Sequence, residues 1–297
     1  MTTPVQVTAT ITADPGERPN DDELDLFGLT HCGKVRKENQ DHFLLCTVHQ
    51  QVVIHATSLP DPATLPTRGG RLATIMLVAD GVGGGPAGRE ASRLAAEAVM
   101  RYVASTMQCF HSVGNVGEKE FFASLREAAH EAHAAVELRA ASEAGARGMA
   151  TTLTLAVAVW PRVYITQVGD SRAYTYVDGS LLQITRDQTM AQTLVDLGAL
   201  PAEQAASSPL RHVLSRAIGG PESEPEVSRL KIKRGQVILL CSDGLTKHVS
   251  DDEIARSLET MTSSQQLCTD LVEKALAGGG TDNITVLAGR ARLKVTR

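Results

Sequence analysis

The chain has 297 residues, 42% of them hydrophobic and 21% charged, which is ordinary globular composition and fits one large domain of about 250 residues. A formal net charge of -5 and an isoelectric point near 6.0, with Lys and Arg scattered, argue against a nucleic-acid or anionic-membrane partner. Cys32, Cys46, Cys109, Cys241 and Cys268 are odd in number and contain no C-x-x-C pair, which argues against a disulfide framework or structural zinc and for a reducing, cytoplasmic setting.

Residues 1–22 are polar and predict a flexible tail without the basic and apolar regions of a secretory signal. Strand-like runs follow in LDLFGLT and DHFLLCTVHQQVVI. Residues 56–71, with three prolines and two glycines, read as an insertion, and RLATIMLVAD reads as a buried strand. From Pro86 the pattern turns helical, with Ala91, Leu94, Ala95, Ala98, Val99 and Tyr102 at helical spacing. A second amphipathic helix over 118–143 carries Phe122, Leu125, Ala129, Ala132 and Val136 on one stripe. The stretch from Thr151 to Thr185 reads as three strands, with turns at Trp160-Pro161-Arg162 and Asp178-Gly179. A polar, partly helical segment at 187–223 precedes the strand QVILLCS, helices over 251–260 and 263–277, and a closing strand NITVLAGRARL. The longest apolar run, LTLAVAVW, is too short to cross a bilayer.

This order lacks regular βαβ alternation. It predicts an α+β fold of two stacked antiparallel β-sheets flanked by helices on both sides, in one domain over 23–293.

Asp41, Asp80, Asp243 and Asp282 each stand where an apolar run begins or ends. Carboxylates at the rims of buried strands are oxygen ligands on a rigid support, the donor type that Mg²⁺ or Mn²⁺ takes, and they predict metal-assisted hydrolysis. An isolated Asp-Gly is mostly turn chemistry, and Asp178-Gly179 stays in that class. Gly83, Gly85 and Gly88 formally match the dinucleotide fingerprint, but Asp80 would face the pyrophosphate and 98–117 hold no acid for a ribose. Arg36, five residues before Asp41, would be surface filler alone; beside an acid cluster it is a candidate phosphate clamp.

The motifs RKENQD, VADGVGG, GMATTLTLAV, QVGDSRAY, CSDGL and GGTDNITV, in this order, resemble those of the metal-dependent serine/threonine protein phosphatases, the PPM or type 2C family. The likeness covers about residues 24–292, and ITRDQTMAQTLVDLGALPAEQA resembles the bacterial branch, where this segment forms a flap beside the active site. The resemblance implies hydrolysis of phosphoserine and phosphothreonine on proteins by a water held between two divalent cations, Mn²⁺ or Mg²⁺. It implies that Asp80 bridges two metal ions with the Gly81 carbonyl as a further ligand, that Asp243 and Asp282 complete the shell of the first ion, and that Asp41, beside Gln40, serves the second ion through water. Arg36 would hold the phosphate, and Asp170 would support the strand ends. Phosphorylated proteins, with an opposing serine/threonine kinase, are the implied partners.

Three departures stand out. Gln40 replaces a common Glu, and Val82 takes the place of a His found in eukaryotic members. Arg147-Gly148-Met149-Ala150 lacks the Asp expected before the M-G-T-T motif, which leaves open a third metal sharing Asp243. A phosphatase-like module that binds phosphoprotein or metal without turnover is the alternative reading.

Overall fold

The computed structural model describes residues 17–51, 68–83, 86–112, 117–143, 146–205 and 207–293; the side chains of 107–112 are not described. Most of the expected tail and insertion, together with Gly85, lie outside these residues. The strands are β1 (Leu24–His31), β2 (Asp41–Gln51), β3 (Arg68–Val82), β4 (Ala150–Thr151), β5 (Leu153–Val159), β6 (Arg162–Val168), β7 (Arg172–Val177), β8 (Ser180–Gln183), β9 (Glu226–Lys231), β10 (Val237–Cys241) and β11 (Ile284–Ala291). The helices are α1 (Pro86–Ser112), α2 (Glu118–Ser142), α3 (Met190–Asp196), α4 (Ala202–Ala205), α5 (Asp243–Thr246), α6 (Asp251–Glu259) and α7 (Ser264–Ala277).

Two antiparallel sheets result. One runs β1-β11-β10-β7-β8, and the other runs β2-β3-β5-β6-β9 with β4 paired to β3. Period-2 alternation explains why their central strands are apolar on both faces. On β3, Ile75, Leu77 and Ala79 meet α1 and α2, while Met76 and Val78 meet the opposite sheet. On β10, Val237, Leu239 and Cys241 meet α6 and α7, while Ile238 and Leu240 turn inward. The layers are therefore helix, sheet, sheet, helix, as the sequence predicts. Burial of the stripe Leu125, Ala129, Ala132 and Val136 fixes α2 against its sheet.

Several boundaries differ from expectation. Residues 68–71 belong to β3 because Arg71 is buried and donates to Asp21 Oδ1 at 2.6 Å and to the Pro19 carbonyl at 2.8 Å. The same bonds tie residues 19–21 of the expected tail to the sandwich. The three strands predicted after Thr151 are four, since the middle one breaks at 169–171 into β6 and β7, which lie in different sheets, while Asp178, at φ 51°, and Gly179, at φ 78°, form the expected tight turn joining β7 to β8. β9 lies at a sheet edge and is mostly exposed, so it lacks the apolar run that marks its neighbours.

Candidate active site

The inner faces of both sheets change character at one end. On β2, Phe43 and Leu45 point between the sheets, so Asp41, two residues before Phe43, shares their face. On β3, Asp80 continues the line of Met76 and Val78, and the register pairs Asp41 directly with Asp80. The opposite sheet extends the lines of Leu240 and Leu287 into Ser242 and Thr285. Both hydroxyls donate to Asp41 Oδ2, Ser242 at 2.8 Å and Thr285 at 2.7 Å. Asp41 is only 4% exposed, and its other oxygen, Oδ1, is buried without a hydrogen-bond partner. Burial first, and then the charges of Asp243 and Asp282, push its carboxyl up to about 6 against the pull of the two hydroxyls.

Asp80 is raised well above the carboxylate range by burial and by repulsion from Asp41, Asp243, Asp170 and Asp282. Its backbone is held by Thr152, whose Oγ1 accepts from Asp80 N at 3.0 Å, and by Thr151 Oγ1, which donates to its carbonyl at 2.9 Å. Gly81 is required by crowding, since a Cβ there would lie 2.2 Å from the Gly88 carbonyl oxygen. The same holds at Gly244, where a Cβ would lie 1.9 Å from the Asn283 carbonyl oxygen.

Asp243 opens the short helix α5 rather than the loop that its Asp-Gly suggests. Its Oδ1 is buried without a partner, while Oδ2 pairs with Lys247 at 2.6 Å. Asp282 precedes β11 and is gripped at both oxygens by Arg36, Nε to Oδ1 at 2.7 Å and Nη2 to Oδ2 at 2.9 Å. Burial would raise the Asp282 carboxyl, but Arg36 and Lys247 outweigh it and hold it below the usual range.

Asp170, in the turn between β6 and β7, was expected to be a support for the strand ends. It is buried against the cluster, and burial followed by the charges of Asp243 and Asp187 pushes it up to about 8. Asp170 thus adds to the negative charge around Asp243. Its neighbour Ser171 is hydrogen-bonded to Thr152 at 2.7 Å, which couples this turn to Asp80.

Three further positions escaped sequence reading. Lys247 bridges two acids, and only its i+4 spacing from Asp243 hinted at this. Asn283 donates to the carbonyls of Cys32 and Glu38, each at 2.9 Å, and accepts from Gln40 N at 2.9 Å, pinning the loop that carries Arg36. Arg172 forks onto Asp187 with contacts of 2.7–3.1 Å and anchors the start of the 187–223 segment. That segment is tied back at Gln188, whose Oε1 accepts from Gly169 N at 2.8 Å, and at Ile218, bridged to Thr151. His212, in the same segment, lies within electrostatic reach of Lys247, Asp243 and Asp282.

The cluster has the donor chemistry of a hard cation, with two orphaned buried carboxylate oxygens and repulsion among acids from both sheets. Among the described residues, no three acidic, imidazole or thiol groups form a ready-made cage. The Lys247 ammonium stands between two of the acids instead.

Comparison with known proteins agrees with this geometry. The family model described as Protein phosphatase 2C matches residues 63–278. The serine/threonine protein phosphatase PstP of Mycobacterium tuberculosis is 37% identical over 215 residues, which are 72% of this chain and 40% of PstP. The serine/threonine phosphatase stp of Listeria welshimeri is 34% identical over 215 residues, 72% of this chain and 82% of that protein. The match thus spans less than half the length of PstP. A crystal structure of M. tuberculosis PstP superposes with a TM-score of 0.72 at 31% identity, covering 91% of this chain and 99% of that one. A structure of the PstP catalytic domain in complex with two manganese ions superposes with a TM-score of 0.69, again at 31% identity.

Proposed function

Because the chain belongs to the protein phosphatase 2C family, we propose that it is a metal-dependent phosphatase that hydrolyses phosphoserine and phosphothreonine on proteins. The observation that carries this reading is the end of the inter-sheet layer, where Asp41 and Asp243 each keep a buried oxygen without a partner. Acids so placed repel one another until a cation arrives. Asp80, the Gly81 carbonyl, Asp243 and Asp282 would hold two divalent ions, Mn²⁺ or Mg²⁺, with Asp41 serving through water. When bound, such a pair supplies a water of lowered pKa and positive charge for the phosphoryl oxygens.

The chain's own residues do the rest. Ser242 and Thr285 fix Asp41 by Oδ2, so that Oδ1 is left for the cluster. Thr151 and Thr152 fix the backbone that carries Asp80. Arg36 uses two of its five N–H donors on Asp282 and has donors left for a phosphate, and its side chain is 49% exposed. It is expected to orient the phosphoryl group and to neutralise charge in the transition state.

The substrates are then phosphorylated proteins, and the natural counterpart is the kinase that makes them. Cys32, Cys46, Cys241 and Cys268 are free thiols, which supports a cytoplasmic setting. No helix among the described residues is long and apolar enough to cross a membrane.

The test is release of phosphate from a phosphothreonine peptide. Turnover should vanish in EDTA and return with Mn²⁺ or Mg²⁺. Undiminished turnover by metal-free protein would overturn the reading. Phosphopeptide binding with no release in either metal would instead make this a binding module.

A further inference from the structure

Lys247 stands at the C-terminal end of α5, and its Nζ lies 2.6 Å from Asp243 Oδ2 and 2.6 Å from Asp282 Oδ2. The first contact alone would be an ordinary i,i+4 helix pair. The second reaches an acid 35 residues away, so that the ammonium stands between carboxylates from two separate segments. The side chain is 24% exposed, so this is no solvated surface pair. Burial lowers the charged form of Lys247, yet the two acids overcome that and hold its ammonium firmly protonated.

We infer that Lys247 is a built-in placeholder whose ammonium fills the seat of one divalent cation between Asp243 and Asp282, and that the ion must displace it. This rests on the dinuclear phosphatase reading above.

A divalent ion takes carboxylate oxygens at roughly 2.0–2.6 Å. An ammonium already at 2.6 Å from both oxygens would then lie within a few ångströms of the ion. Like charges so close in a partly buried site repel strongly, and the two cannot share the seat. The lysine stem is flexible and its head is a compact point charge, so it can withdraw without moving the backbone of α5.

Two consequences follow. The metal-free protein is spared the repulsion between Asp243 and Asp282, and each ion that binds at this seat does so against a resident competitor. Arg36 does not take the same part, because it pairs side-on with Asp282 and does not stand between two acids.

The experiment compares wild type with Lys247→Met, which keeps the length of the stem and removes the charge. Calorimetric Mn²⁺ titrations of metal-free protein should show one site tightened by about tenfold or more in the variant. Melting in EDTA should occur several degrees lower for Lys247→Met, and the gain on adding Mn²⁺ should be larger than in wild type. A measurement on wild type alone guards against a misfolded variant: reductive methylation read by mass spectrometry, with Lys34 and Lys37 as internal standards, should label Lys247 more with Mg²⁺ than with EDTA. Mn²⁺ affinities equal within twofold, or Lys247 labelling that fails to rise with Mg²⁺, would overturn the placeholder while leaving the phosphatase reading standing. Absence of Mn²⁺ binding by both proteins would overturn both.

Discussion

The β-sandwich has two ends, and they treat acids in opposite ways. At the end away from the site, each named acid has a cation. Asp21 accepts from Arg71 at 2.6 Å, Glu23 faces Arg234 at 2.9 Å, and buried Asp25 accepts from Arg290 at 3.0 Å and from the Ser264 N–H that opens α7. At the other end, Asp41, Asp80, Asp170, Asp243 and Asp282 converge on Arg36 and Lys247, and two buried oxygens have no partner at all. The first end is built for stability. The second stores repulsion, which is what a site awaiting a cation does.

Asp80→Asn should have the largest effect of any single substitution at the acid end. Turnover should fall by at least about 10²–10³-fold, because a ligand charge is lost at the reacting centre. Metal-free Asp80→Asn should melt above metal-free wild type, since a repelling charge is gone. Wild-type turnover at saturating metal would remove Asp80 from the site. Arg36→Ala comes next, with a fall in kcat/KM equivalent to about 2–4 kcal/mol of lost transition-state stabilisation. The grip of Arg36 on Asp282 adds an expectation that sequence alone does not give: metal affinity should change as well as substrate handling. Unchanged kinetics in a phosphopeptide assay would return Arg36 to the surface.

Arg290→Met tests the opposite end. It should cost about 2 kcal/mol of stability by stranding buried Asp25, with kcat and metal affinity unaffected. Denaturant melts and assays on the same preparation separate the two effects, and a fall in turnover without a loss of stability would contradict the division of labour.

The last expectation concerns pH. Asp41 and Asp170 titrate near 6 and 8 in the folded metal-free protein, above the ordinary carboxylate value of 3.8. The folded state therefore holds protons that the unfolded chain has released, and its stability is fullest below pH 4 as far as these groups are concerned. It should decline as pH rises toward 8. Melting of metal-free protein between pH 5 and 8 should show this decline, and Asp170→Asn should flatten its upper part.

How much of this could be read in the sequence depended on how local each signal was. The apolar runs of β3, β10 and β11 announce buried strands, and the stripe on α2 announces its buried face. The four rim acids and Arg36 were visible because each ends or flanks such a run. β9 was not, because an edge strand with one wet face carries little apolar signal. The pairing of Asp41 with Asp80 is a matter of register, which residues 39 positions apart do not disclose. Lys247 and Asn283 owe their roles to partners on distant segments, and α5 hides behind an Asp-Gly that elsewhere means a turn.

Asp41 Oδ2 has a mechanical meaning beyond charge. It belongs to one sheet and accepts from Ser242 and Thr285 of the other, so it acts as a pin through both leaves of the sandwich. Leaves pinned at one edge can part only from the other. The far edge is where a cavity opens among Leu24, Leu26, Met76, Ala158, Trp160 and Ile238. Breathing of the sandwich should therefore widen that gap first and leave the spacing of the acids unchanged. Trp160, the only tryptophan of the chain, is placed to report such opening by its fluorescence.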